Sequence, residues 1–117
     1  MPRRTFMSAK IHGATLTSLN LEYEGSISID AKLMEAAGIL PNEQIDVLNL
    51  DNGERLTTYA IPGKPGEICL NGAAAHKGKP GQRVILVTFL ELEPYEIPGH
   101  KPRVIRVDAA NRPEAAH

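Results

Sequence analysis

The sequence has no tryptophan, a single cysteine and no excess of either charge. Each absence removes a class of protein. Only 4% of the residues are aromatic while 42% are hydrophobic, so Val, Ile, Leu and Ala must fill any core. One cysteine, Cys69, leaves no internal disulfide and cannot build a multi-cysteine zinc site. With 13 basic and 14 acidic residues the net charge is −1, which gives no electrostatic pull toward nucleic acid or an anionic membrane. No stretch approaches the roughly 20 apolar residues of a membrane span. The basic start Met1-Pro2-Arg3-Arg4 leads into no apolar run, so no signal peptide is read, and the expected location is the cytoplasm. The motifs HExxH, CxxC, GxxxxGK[ST] and GxGxxG are all missing, and His12, His76, His100 and His117 show no metal-ligand spacing.

What remains is dominated by short strands. The 117 residues suit one compact domain, expected over 1–108, with a disordered tail over 109–117. Strands are expected at Thr5 to Ile11 and Ala14 to Leu19, broken at His12-Gly13, with a further short strand ending at Ser28 to Asp30. Asp30 is a natural N-cap for the helix "AKLMEAAG", which Gly38 can close. "EQIDVLNL" alternates and runs into Asp51-Asn52-Gly53, a hairpin signal, and "ERLTTYAI" returns as its partner strand. "GKPG" occurs at Gly63 and at Gly78, each copy a turn before a strand ("EICLN" and "QRVILVTFLEL"). The alanines of "NGAAAH" favour one helical turn. Beyond Glu93 the prolines interrupt the pattern, and "RVIRVD" is expected as a last edge strand. Many short strands with one or two short helices predict an all-β fold, a closed barrel rather than repeated βαβ units.

Four clusters could carry chemistry. "KIH" (Lys10 to His12) also reads as a solvated strand end, and "YEGS" (Tyr23 to Ser26) as a turn. "RLTTYA" (Arg55 to Ala60) puts Arg55, Thr57 and Tyr59 on one face of a strand, as any amphipathic strand would. "NGAAAH" (Asn71 to His76) also reads as tight packing of small residues. Each alone is unremarkable; their order and spacing together are not.

From about Thr5 to Glu91 the chain resembles the pyruvoyl-dependent aspartate 1-decarboxylase family, in "KIH", "LEYEGSISID", "AAGILPNEQIDVLNLDNGERLTTYAI" and "NGAAAH". The resemblance implies a small double-psi β-barrel. It implies self-cleavage between Gly25 and Ser26: Ser26 Oγ attacks the Gly25 carbonyl, the acyl group moves from nitrogen to oxygen, and β-elimination followed by hydrolysis leaves a pyruvoyl group at position 26. Thr58 matches the family's oxyanion-stabilising hydroxyl. The ketone would form a Schiff base with the substrate amine and act as electron sink, so no pyridoxal phosphate and no metal is called for. Tyr59 matches the proton donor; a phenol with a reference pKa of about 10 stays protonated at neutral pH. Arg55 and Lys10 match the cations that bind the substrate carboxylates. Asn71, Gly72, Ala73 and Ala74 match the pocket wall, and His12 and Tyr23 match residues near the cleavage point with less defined roles.

The implied reaction is conversion of L-aspartate to β-alanine and CO2, the step that supplies the pantothenate and coenzyme A precursor, in a homotetramer with sites between subunits. A need for a maturation factor stays open. So do two other readings: decarboxylation of another acidic amino acid such as glutamate, separated by one methylene worth about 1–3 kcal/mol, and a non-enzymatic module, since the same barrel also serves in DNA-binding regulators.

Overall fold

The structure is a computed structural model and describes residues 1–114. Eight strands form one sheet: β1 (Arg4–Thr15), β2 (Ser18–Asn20), β3 (Ser26–Asp30), β4 (Gln44–Asn49), β5 (Arg55–Gly63), β6 (Ile68–Asn71), β7 (Arg83–Leu92) and β8 (Arg103–Arg106). Helix α1 (Ala31–Ala37) follows β3, and 3-10 turns occupy Gly72–Lys77 and Pro94–Gly99. The strand order is β2-β6-β3-β5-β4-β7-β1-β8.

The N-terminal run closes this ladder into a barrel. β1 pairs antiparallel with β7 at one end, and the chain then crosses so that β2 pairs parallel with β6 at the other. The crossing is held by four bonds: Leu16 N–H to Gln82 O (2.8 Å), Gly81 N–H to Leu16 O (2.8 Å), Thr17 N–H to Ile68 O (2.8 Å) and Ile68 N–H to Thr17 Oγ1 (3.0 Å). A small, mainly-β barrel is thus the class that the strand pattern predicts.

The pleat sorts side chains to two sides of the wall. One continuous row, Leu56-Val47-Leu86-Ile11-Ile105, crosses five strands and faces the core. The next row over, Thr57-Asp46-Val87-Lys10-Val104, lies on the outer face. The fully buried large side chains are aliphatic, chiefly Ile11, Ile27, Ile29, Leu33, Ile45 and Leu86, as a composition poor in aromatics requires.

Several local expectations hold. Asp30 Oδ1 accepts from Lys32 and Leu33 N–H, and Gly38 closes α1 at φ 73°. Asn49 organises the 50–54 loop, its Oδ1 accepting from Asp51 N–H (2.9 Å) and Asn52 N–H (3.3 Å). The two "GKPG" segments form one kind of turn: Glu67 N–H bonds Lys64 O at 3.0 Å and Gln82 N–H bonds Lys79 O at 3.1 Å, with the Glu67 and Gln82 side chains each reaching back to a lysine N–H at 2.9 Å.

Two expectations fail. The strand is not broken at His12-Gly13: β1 continues through a bulge there, its pairing stepping from His12↔Ile85 to Ala14↔Val84. Gly13 takes φ 83°, which a bulge needs and glycine allows without strain. The break falls instead at Leu16-Thr17, where the chain crosses the barrel end. Nor are residues 109–114 a disordered tail. Asn111 is buried and clamps the chain, its Nδ2 donating to Thr15 O and Gly66 O (both 2.9 Å) and its Oδ1 accepting from Thr15 N–H (2.7 Å). A short polar side chain among backbone groups gives no hydrophobic signal, which hid this anchor. Residues 115–117 lie outside the described residues.

Asp30 joins α1 to the loop before β6, because its Oδ2 accepts from Gly66 N–H at 2.8 Å. Burial pushes its carboxyl up, but the N–H groups of Gly66, Lys32 and Leu33 and the Lys32 charge outweigh that and hold its pKa below the ordinary 3.8. Asp30→Ala is expected to cost about 1–2 kcal/mol near neutral pH by chemical denaturation. A depressed native pKa stabilises above the unfolded value and loses that effect as pH falls through the native one. The gap between wild type and Asp30→Ala should therefore be constant above about pH 5 and shrink below pH 4.

Candidate active site

The site starts from the pairing of β3 with its two neighbours. Ile27 lies beside Ala60 in the parallel β3/β5 register, with both side chains in the core. Alternation turns Ser26 to the outer face. By the same alternation Tyr59, which precedes Ala60 on β5, turns to the outer face, whereas Thr58, paired with the core residue Ile45, turns to the inner one. On the other side, the antiparallel register pairs Ser26 with Asn71. "YEGS" and the start of "NGAAAH" thus meet at one point, although 45 residues separate Ser26 from Asn71.

Ser26 is completely buried. Its Oγ donates to Glu24 O at 3.3 Å and accepts from Asn71 Nδ2 at 2.9 Å. The second Asn71 N–H goes to Ser28 Oγ at 2.9 Å, and Asn71 Oδ1 accepts from Cys69 Sγ at 3.3 Å. Ser28 and Cys69 were not among the residues singled out from sequence; the alternation in "SISID" and "ICLN" is the signal that would have placed them on the Ser26 face.

Gly72 explains the glycine of "NGAAAH". It sits at φ 60°, and a Cβ there would lie 2.6 Å from Tyr23 O, 2.7 Å from Gly25 N and 2.9 Å from Gly25 Cα. All three are backbone atoms, so nothing can swing aside. Gly72 is the backstop against which the 23–25 segment rests. The φ of Gly25 is not in the left-handed region and its Cβ position is open. Its backbone does not require glycine for a strained conformation. Ala73 is exposed and Ala74 packs into the core, so of these two only Ala73 is free to face a ligand. Tyr23 is half exposed in the loop before Ser26.

Arg55, Lys10 and His12 lie on other parts of the outer wall. Arg55 is exposed at the start of β5, four residues before Tyr59, or roughly 13 Å along the strand. Lys10 is level with Thr57 but three strands around the wall, roughly 14 Å away. His12 shares an outer row with Ile85, Leu48 and Arg55. Its Nδ1 is buried and has no hydrogen-bond partner among the described residues. Burial first, then the charges of Arg106, Lys10 and Arg83, hold its ring below the ordinary pKa of 6.5, so it is neutral at pH 7. The chain therefore carries a polar, buried half-site around Ser26 and a cationic half-site on another part of its surface. Among the described residues no three of His, Cys, Asp and Glu come together to hold a metal.

Gly72→Ala is expected to destabilise the fold by about 1–3 kcal/mol, since the methyl must push the 23–25 backbone away and also occupy a left-handed φ. Thermal melting measures the loss, and faster amide exchange confined to 23–26 and 71–73 would place it. An unchanged melt would mean that the backstop is not tight.

The family model for aspartate decarboxylase matches residues 2–114. The chain is 57% identical over 111 residues to an aspartate 1-decarboxylase of Acaryochloris marina, covering 93% of this chain and 85% of that one. It is 51% identical over 112 residues to one of Myxococcus xanthus (94% and 86%) and 50% identical over 120 residues to one of Maricaulis maris (97% and 99%). A match over nearly the whole chain, including every segment that builds the Ser26 half-site, places this protein in the aspartate decarboxylase family.

Proposed function

We propose that this chain cleaves itself between Gly25 and Ser26 and then converts L-aspartate to β-alanine and CO2, in the cytoplasm, as a source of the pantothenate precursor. The observation that carries the reading is the buried Ser26 Oγ, held between Asn71 Nδ2 and Glu24 O. A serine that served only as a turn residue would need neither full burial nor two fixed partners.

Cleavage asks for an oriented hydroxyl and a donor for the developing oxyanion. The second role falls to Thr58, which matches the family's oxyanion-stabilising hydroxyl. The residues also fit a pyruvoyl group at position 26. Asn71 Nδ2 reaches that position, and an amide N–H is the donor a ketone oxygen needs there. Once formed, that ketone supplies the electron sink for loss of CO2. Tyr59 then holds a phenolic proton beside position 26 and delivers it to the substrate carbon that lost its carboxylate. Arg55 binds one substrate carboxylate as a two-pronged fork and Lys10 another as a point charge.

Arg55 and Lys10 lie too far from Ser26 on one chain to hold the same aspartate. A shared site between subunits resolves this, with one chain supplying Ser26, Asn71, Gly72, Ala73 and Tyr59 and its neighbour supplying Arg55 and Lys10. The homotetramer that the family resemblance implies would provide such pairs.

Intact mass measurement tests the first half: wild type gives two chains, Ser26→Ala stays whole, and Thr58→Ala cleaves about 10²–10³ times more slowly. A wild type that stays whole, with and without a host lysate supplying any maturation factor, sinks the cleavage reading.

Co-expression tests the shared site. Ser26→Ala and Lys10→Ala chains should each make little β-alanine alone, while mixed assemblies regain part of the wild-type rate. No recovery would put the whole site in one chain. Glutamate should be a poor substrate; a preference for it would change the substrate but keep the mechanism.

A further inference from the structure

We infer that Ser28 and Cys69 are positioning residues for backbone cleavage: they lock the Asn71 carboxamide so that it holds Ser26 Oγ in one orientation. This rests on the proposed cleavage at Gly25-Ser26 and adds two residues to it.

Three polar contacts of the Asn71 side chain are in use. Nδ2 donates to Ser26 Oγ and to Ser28 Oγ, both at 2.9 Å, and Oδ1 accepts from Cys69 Sγ at 3.3 Å. An amide oxygen only accepts, so the thiol is the donor. Ser26 is fully buried, and Ser28, Cys69 and Asn71 are nearly so, each on the wall of one hollow. The sheet builds the arrangement. Ser26 faces Asn71 and Ser28 faces Cys69 in consecutive outward pairs of β3 and β6, while Ile27, Ile29, Ile68 and Leu70 fill the core behind them.

A carboxamide is nearly symmetric in shape and can turn over by half a rotation. Here that turn would set Nδ2 against a sulfur, a weak acceptor, and Oδ1 against Ser26 Oγ, whose one proton is directed to Glu24 O. Cys69 thus selects the orientation in which an N–H faces Ser26, and Ser28 holds the second N–H once that orientation is set. With one lone pair taken by that N–H and its proton given to Glu24 O, Ser26 Oγ has a single lone pair left for the Gly25 carbonyl carbon. In the acyl shift the Oγ–C bond forms as the Gly25 C–N bond breaks, and the hydroxyl proton passes to the departing nitrogen. A freely turning Asn71 would leave Oγ to sample other rotamers, and misorientation of a reacting group lowers the rate directly.

The test compares paired substitutions. Ser28→Ala and Cys69→Ala remove one contact each. Ser28→Thr and Cys69→Ser keep it, and the hollow of about 310 Å³ that Ser28 lines has room for the added methyl. Intact mass against time should show the two alanine variants cleaving about 5- to 10-fold more slowly, and the two conservative variants close to wild type, with all four melting cooperatively. A second readout does not depend on cleavage. In Ser26→Ala chains, which stay whole, the Asn71 side-chain amide protons should exchange slowly by NMR, and faster once Ser28→Ala or Cys69→Ala is added. Alanine variants that cleave at the wild-type rate overturn the inference, and so does equal slowing by alanine and conservative variants, which marks a merely structural effect. If wild type never cleaves, the cleavage reading fails by itself. Amide exchange then decides the positioning: faster exchange in the alanine variants supports it, and unchanged exchange overturns it.

Discussion

The closure of the barrel by its own N-terminal run is the constraint on which the rest depends. A strand at the end of an open ladder leaves a row of unpaired N–H and C=O groups. Here one continuous segment covers both ends, β7 through β1 and β6 through β2. The grip of Thr17 on Ile68 therefore holds β6 in place as well as sealing the sheet. β6 carries Asn71, and Asn71 meets Ser26 only while the β3/β6 register is kept. A one-residue slip would turn Asn71 inward and bring Leu70 out.

The same wall separates stability from chemistry by alternation. The inward row from Leu56 to Ile105 carries the hydrophobic burial, and the outward positions on the same strands are released for polar work. Ser26, Ser28, Cys69 and Asn71 are an exception, because they face outward and are nevertheless buried. Buried polar groups are tolerated when each has a partner, and in this group the contacts close on one another. The result is a closed polar patch next to a segment, 21–25, that is exposed. A fixed hydroxyl beside an exposed backbone segment suits the proposed acyl shift.

The cationic half-site obeys a different logic. Lys10, Arg55 and the positive groups around His12 lie on the outer wall, where a charge keeps its hydration. Burial first, then Arg106, Lys10 and Arg83, keeps His12 neutral, and the exposed cations leave a positive surface. The separation of this surface from Ser26 makes assembly a matter of catalysis as well as of stability in the proposed mechanism.

Much of this was legible in the order of residues. The cap at Asp30, the turn residues Asn52-Gly53 and Pro65-Gly66, and the alternation of β4 and β5 are local, and local backbone preference decides them. The residue types of the proposed chemistry were legible too, since "YEGS", "RLTTYA" and "NGAAAH" stand in the text. The bulge at Gly13 and the anchor at Asn111 were not. One depends on which strand lies opposite, and the other on backbone groups 45 and 96 residues away. The contacts of Ser28 and Cys69 with Asn71 were hidden for the same reason: two short polar side chains mean nothing until a register aligns them. Sequence by itself determined which elements form and which side chains have the chemistry. Tertiary structure alone decided that Ser26 is buried between two partners while Lys10 and Arg55 stand elsewhere, because proximity between distant residues is set by strand order and register.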